Sequence, residues 1–235
     1  GEIERTYGRK VTVIPTNRPV ARVEMPTRIF RTSEARFNAV IEAIVAVHNT
    51  GRPILVGTRS VEASEIIAKR LTQRNIDHRV LNAVQDKDEA TLIAKAGQLR
   101  SVTVATNMAG RGTDIKLEPD AKKAGGLHVI LTEMHSAKRI DRQFIGRAGR
   151  QGDPGSSQMI LSLQDELVHL YLARTAAWLR AITLNSPGDE VVGSRRSMAM
   201  AMFGFAQKLA QQRDRGMRHS VLTQDDWVEK HLPGM

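Results

Sequence analysis

The sequence predicts an α/β protein, a parallel sheet with helices on both faces, followed by an α-helical C-terminal extension. Short apolar runs (ILVG, VTVA, LHVIL, QMILSL) alternate with stretches of helical periodicity between residues 54 and 163. That alternation indicates βαβ units whose strands are buried on both faces. Apolar residues make up 41% of the 235-residue chain, ample for a buried core. After Ser162 the strand pattern stops and only helical periodicity continues, which divides the chain into a sheet domain, 1–165, and a helical segment, 166–235.

In chain order, Tyr7–Ile14 reads as the entry to a short strand, VTVI, closed by a PTNRP connector whose prolines forbid helix. From Ser33 to His48, Phe37, Val40, Ile41, Ile44 and Val45 follow the template of an amphipathic helix, ended by Asn49–Gly51. Pro53 opens the buried strand ILVG. Ser60 is the N-cap of a helix to about Arg74, with Ile66, Ile67 and Leu71 inward and Glu62 and Glu65 near its positive end. A strand at Val80–Leu81, a helix from about Asp86 to Gly97 and the strand Val102–Ala105 come next, then a glycine-containing loop to Ile115. After a polar excursion, Glu118–Lys123, two glycines introduce LHVIL; a helix carrying Arg147 and Arg150 and the strand QMILSL follow. Gln164 to about Ile182 is helical, Asn185–Gly188 breaks it, and Ser194 to about His219 is a further long helix.

Lys and Arg outnumber Asp and Glu by 35 to 25, a formal charge of +10 with pI near 10.4. An anionic partner is expected: nucleotide, nucleic acid or acidic lipid. The absence of cysteine excludes disulfides, thiol nucleophiles and Cys-based zinc sites. No run of 18 apolar residues and no leader-like segment occurs, so neither a membrane span nor a signal peptide is expected. The chain opens at Gly1 rather than Met, so a fragment or a processed chain is expected.

Two stretches carry the chemistry. In QFIGRAGRQGDPG, Arg147 and Arg150 are three residues apart, so on a helix they share one face and converge on one anion. Gly146 and Gly149 are poor helix residues that leave the backbone bare for a ligand. A polyphosphate suits the guanidinium fork; the alternative is a solvated basic helix punctuated by glycine. The Q-x-x-G-R-x-G-R spacing before the turn QGDPG favours the anion. In VTVATNMAGRGTDIKL, Gly110 and Gly112 flank Arg111 and allow close backbone approach. Asp114 is suited to accept from ribose hydroxyls or from a water held on a metal, and equally to cap the following turn. Ligands of such sheets sit outside the carboxyl ends of the strands, which the loops after Val104 and Gly57 leave.

These stretches, with LVGTRSVEASE, have the order and approximate spacing of the late motifs in the second RecA-like half of superfamily-two motors. With VIPTNRP, VLNAVQ, IAKAGQ and GGLHVI the chain resembles the SecA preprotein translocase ATPases, continuously over about Tyr7–Leu167 and more loosely in AQKLAQQRDRGMRHSVLTQDDWV, which resembles the start of that family's scaffold helix. The resemblance implies a RecA-like second motor domain, with Asp114 touching nucleotide, Arg111 in the same loop between Gly110 and Gly112, and Arg147 and Arg150 as arginine fingers. It implies ATP, Mg²⁺ held mainly by a first motor half, and as partners that half, a SecYEG-type translocon, preproteins and an acidic lipid surface. The implied location is cytoplasmic, peripheral at the inner face of the plasma membrane. Ile145 departs from the family, which usually has arginine there.

No GxxxxGK[ST] run occurs, so the phosphate cradle is expected from elsewhere and the chain alone is not expected to turn over. DEAT at Asp88–Thr91 falls in the expected helix and is discounted. The rival function is a stand-alone regulatory or nucleic-acid-binding RecA-like module, consistent with +10 and Ile145. An aromatic content of 4% offers few stacking platforms and weighs against nucleic acid. His128 and His135 have packing or surface roles, and Trp178, Trp227 and the Met198–Phe205 run pack helices. Met198, Met202, Phe205 and Leu209 form a stripe on the last helix that is expected to be exposed or folded back, and removable with everything after Asn185.

Overall fold

The computed structural model describes residues 4, 8–81, 93, 95–106, 113–184 and 186–231. Among them, seven strands form one sheet: β1 (Arg22–Glu24), β2 (Arg28–Phe30), β3 (Ile54–Thr58), β4 (Arg79–Leu81), β5 (Val102–Thr106), β6 (Leu127–Leu131) and β7 (Gly155–Ser162). The order is β1–β7–β6–β3–β5–β4, β2 also pairs with β7, and every strand pair is parallel. The helices are α1 (Ser33–His48), α2 (Val61–Gln73), α3 (Pro119–Lys123), α4 (Lys138–Ile145), α5 (Glu166–Ile182) and α6 (Gly193–His231).

Strand alternation decides which helix covers which face. Ile54, Val56, Val102, Val104, Ile130 and Ile160 pack under α1 and α2, against Phe37, Ile41, Ile44, Ile67 and Leu71. Leu55, Ala105, Leu127, Val129 and Leu131 point the other way, to Ile115, Phe144 and Ala148. Toward β2, Ile29, Leu161 and Leu163 continue into a core with α5 and α6. Helix starts follow their caps: Thr32 Oγ1 accepts from the Ala35 N–H and Ser60 Oγ from the Ala63 N–H, each satisfying a donor the first turn leaves open.

The structure departs from the sequence expectation in several places. VTVI is not a strand: residues 11–14 are irregular and exposed, Val13 at 87%. The strands that do add to β7, β1 and β2, lie further on and are only three residues each, too short for a period-two signal. The polar excursion contains α3, begun by Pro119 at its first position. The expected helix at 86–97, with DEAT, lies mostly outside the described residues; Lys95–Gly97 is a single 3₁₀ turn. Trp178 does not pack; it is 51% exposed on α5. The buried stripe of α6 is Ala199, Met202, Phe203, Ala206, Gln207 and Ala210, while Met198 and Phe205 face outward. The expected stripe was therefore rotated from the one that packs.

Candidate functional site

The helix α4 begins past the carboxyl end of β6 and lies against the sheet. Phe144 seats it: a Cβ placed on Gly57 of β3 would lie 2.4 Å from the Phe144 ring. Gly57 is thus the socket for Phe144 rather than an opening for a ligand. Helix α4 ends at Ile145, one turn short of the sequence expectation. Arg147 and Arg150 follow it in a turn in which Gly149 has φ 68° and Gln151 φ 53°. Left-handed residues interrupt the helix, so the two arginines do not share a helix face.

Each arginine has its own setting. Arg147 is buried at 7% exposure, its guanidinium carbon 6.0 Å from the centre of the Phe144 ring. Arg150 donates from Nη1 to Asp114 Oδ1 at 2.6 Å and from Nε to the Gly146 carbonyl at 3.2 Å. Asp114 is therefore an ion-pair partner and not simply a turn cap, and two stretches 36 residues apart meet as one site. Gly110, Arg111 and Gly112 lie outside the described residues.

The close approach predicted at Gly149 is made by the protein itself, since an added Cβ there would lie 2.7 Å from Arg22 Cβ. Strand β1 and the segment before it lean on the turn: Arg22 Nη1 donates to the Ala148 carbonyl at 3.3 Å, and Arg18 Nη1 donates to that of Gln151 at 3.3 Å. Lys122 of α3 pairs with Asp153 at 2.8 Å. The arginine turn is thereby gripped from two sides.

The site lies on the flank of the sheet, not beyond its carboxyl edge. After β5 the chain returns across this face: the Glu118 N–H donates to the Gly97 carbonyl, and a Cβ on Gly97 would sit 2.1 Å from the Lys116 carbonyl oxygen. Asp114 stands on that return path. The carboxyl edge at β6 and β7 is closed by a buried ion-pair group that sequence reasoning missed. Arg36 Nη1 contacts Asp165 at 2.6 Å and Glu133 at 3.2 Å. Burial pushes the Asp165 carboxyl up, against the downward pull of Arg36. The signal available in the sequence was an arginine inside the apolar pattern of α1.

His128 and His135 are both buried, as packing roles require. His128 Nδ1 is 2.7 Å from Ser156 Oγ, which also accepts from Arg52. His135 Nδ1 is 2.7 Å from Asp141 Oδ1, a partner six residues on that the sequence reading passed over. Among the described residues no group of three His, Cys, Asp or Glu is placed to hold a metal, and no helix is long and apolar enough to cross a membrane.

Comparison with known proteins agrees with the sheet and the motifs. The family model described as SecA P-loop domain matches residues 19–123 and 116–186. The protein translocase subunit SecA of Parabacteroides distasonis is 49% identical over 226 residues, 96% of this chain and 20% of that protein. That of Bacteroides fragilis is 46% identical over 230 residues, 98% of this chain and 20% of that one. The chain thus spans about a fifth of the length of the curated relatives it matches. Among solved structures, the E. coli DEAD-box protein SrmB, bound to regulator of ribonuclease activity A, aligns with TM-score 0.51 at 19% identity over 68% of this chain and 87% of its own. That likeness shows a helicase-like, RecA-like sheet and no more. The family match runs through β1–β7, the arginine turn and α5, and the relatives run on into α6, so the chain belongs to the SecA family.

Proposed function

We propose that this chain supplies the second half of the nucleotide site in an ATP-driven motor for preprotein translocation. Arg147 and Arg150 act as transition-state arginines, and Asp114 holds Arg150 ready. The observation that carries this is the 2.6 Å Arg150–Asp114 pair, which joins the two motif stretches across the α4 flank of the sheet.

The residues present fit one end of a nucleotide. The Arg150 guanidinium has five N–H groups, and two of its nitrogens serve Gly146 and Asp114. The pair is part-exposed, 38% and 43%, so parting it costs little, under about 1 kcal/mol. When bound by both halves, ATP with Mg²⁺ supplies the phosphoryl group that is transferred. This chain contributes fixed positive charge where negative charge develops, a contribution worth roughly 10³ to 10⁵ in rate for an arginine finger. Asp114 keeps Arg150 from collapsing onto other acceptors and takes hydrogen bonds from the nucleotide side. Mg²⁺ ligands come mainly from the first half, and Gly110, Arg111 and Gly112 belong to the same motif stretch as Asp114.

As partners we propose that first motor half, a SecYEG-type translocon and preproteins, with the motor peripheral at the inner face of the plasma membrane. A pI near 10.4 favours contact with acidic lipid. The chain alone is expected to show no ATPase turnover; a phosphate-release rate abolished by Arg147→Ala would overturn that. Combined with a SecA first half, Arg147→Ala and Arg150→Ala are each expected to lower kcat at least roughly tenfold while nucleotide affinity changes much less. A variant that loses binding but keeps its turnover number makes that arginine a ground-state ligand and removes it from the proposed role.

A further inference from the structure

The buried contact between α6 and α4 has no part in the site as described. Gln207 of α6 is 5% exposed. Its Nε2 donates to Asp141 Oδ2 at 2.7 Å and to the His135 carbonyl at 2.8 Å. Asp141, in the first turn of α4 and itself buried, takes two further bonds on Oδ1, from the His135 N–H at 3.0 Å and from His135 Nδ1 at 2.7 Å. A carboxylate oxygen that takes a ring nitrogen at this distance accepts from it, so His135 donates through its Nδ1–H. A single amide side chain thus closes a network joining the β6–α4 loop, α4 and α6. No side chain caps α4 at Ala137, which leaves this network as the polar anchor of its first turn.

The placement along both helices matters. Helix α4 has eight residues, a rod of about 12 Å, with Gln207 at one end and the arginine turn at the other. Helix α6 has 39 residues, about 58 Å. Among the described residues its last buried position is Ala210, and residues 212, 213, 215–218 and 220 are exposed. Gln207 therefore sits in the last packed turns before an exposed stretch of the helix. A tilt of that exposed stretch acts first on these packed turns, and a buried hydrogen-bonded network has few intermediate positions to adopt.

We propose that Gln207 is a positioning residue, the point at which the long helix α6 sets the placement of α4 and hence of Arg147 and Arg150. The inference rests on the function proposed above for those arginines, but the contact itself can be tested without nucleotide.

The test is amide hydrogen exchange on the 235-residue chain, comparing wild type, Gln207→Met, Asp141→Asn and Phe203→Leu. Methionine keeps the bulk of Gln207 and removes both donated bonds; Asp141→Asn turns an acceptor toward Gln207 into a donor. Phe203→Leu weakens the same α6 packing without touching the network. Expected is at least a tenfold rise in exchange over 138–150 in the first two variants, and little change there in Phe203→Leu at matched overall stability. Should Gln207→Met fail to fold, Asp141→Asn carries the same comparison. Equal loosening by all folded variants, or none in the network variants, reduces Gln207 to ordinary packing and overturns the inference. In the two-half assembly the network variants are expected to lower kcat at least threefold with nucleotide Kd within twofold. If wild-type halves show no turnover, the ATPase reading fails, and the exchange result still decides the contact.

Discussion

His128 shows how one buried residue makes this fold sensitive to acid. Burial, with the charge of Arg52 adding to it, lowers its pKa from 6.5 to about 4. His128 Nδ1 shares Ser156 Oγ with Arg52, which donates to that oxygen, so a charged ring would stand close to a guanidinium in a buried site. Because the folded state binds the proton less tightly than the unfolded chain, the contribution is complete above pH 6.5 and is lost as pH falls toward 4. Integrated over that shift it is about 3 kcal/mol. Urea unfolding at pH 7 and pH 4.5 should show this loss, and His128→Asn should flatten the slope between them; an unchanged slope means other groups carry it. Asp114 makes the contrasting case. Its pair with Arg150 is part-exposed, so Asp114→Ala is expected to change stability by less than about 1 kcal/mol. A larger drop in the melting midpoint would assign Asp114 to the fold and weaken its proposed role at the nucleotide.

The placement of α4 depends on two glycines. Gly57 leaves the volume that Phe144 fills, and a methyl there would overlap the ring. Gly57→Ala is expected to destabilise by about 1–3 kcal/mol through overpacking. Phe144→Leu in the same chain should restore part of that loss, and melts of the single and double variants check it. If the double variant is no better than the sum of the singles, the contact is not what the alanine disturbs. Gly149 combines a left-handed φ with the close approach of Arg22. An L-residue there costs roughly 1–2 kcal/mol before any clash is counted. These positions punish a side chain because neighbouring elements occupy the space, which is also why α4 and its arginine turn are rigid enough to present charge.

The sheet and the helical extension share a core. Ile29 and Leu161 of the sheet pack with Leu167, Val168 and Leu179 of α5 and with Met202, Phe203 and Ala206 of α6. The linker between those helices is clasped to β2: the Val191 N–H donates to the Ile29 carbonyl, and Arg28 pairs with Glu190 at 2.7 Å and Arg31 with Asp189 at 2.8 Å. The sequence expectation that everything after Asn185 can be removed is replaced on these grounds. The division at 165/166 we retain as a proposal about family architecture, not about independent folding. Truncation after Leu184 uncovers several apolar side chains, each worth about 1.5–3 kcal/mol when fully buried. The shortened chain is expected to melt well below the full chain and to scatter light. A truncated chain that is monodisperse with an unchanged melting midpoint would make α6 a true appendage.

Much of this protein was legible from periodicity and punctuation. The apolar runs at 54–58, 102–106 and 127–131 could only be buried strands, and Ser60 with its following acidic turn could only open a helix, because those signals are local. The motif stretches likewise singled out Asp114 and Arg150, which meet in an ion pair. What the sequence could not decide is how segments distant in the chain meet. Strands as short as β1 and β2 have no period of their own and exist because β7 offers an edge. Gly149 looks like room for a ligand until Arg22 is seen to fill it, and no local signal announces that Gly57 is the socket of Phe144. Asp141 and Gln207, separated by 66 residues, have no local signal that pairs them. Local propensity and spacing fix what each segment becomes; which segments share a buried volume is settled only by packing, and packing put the arginines at the foot of α4 instead of on its face.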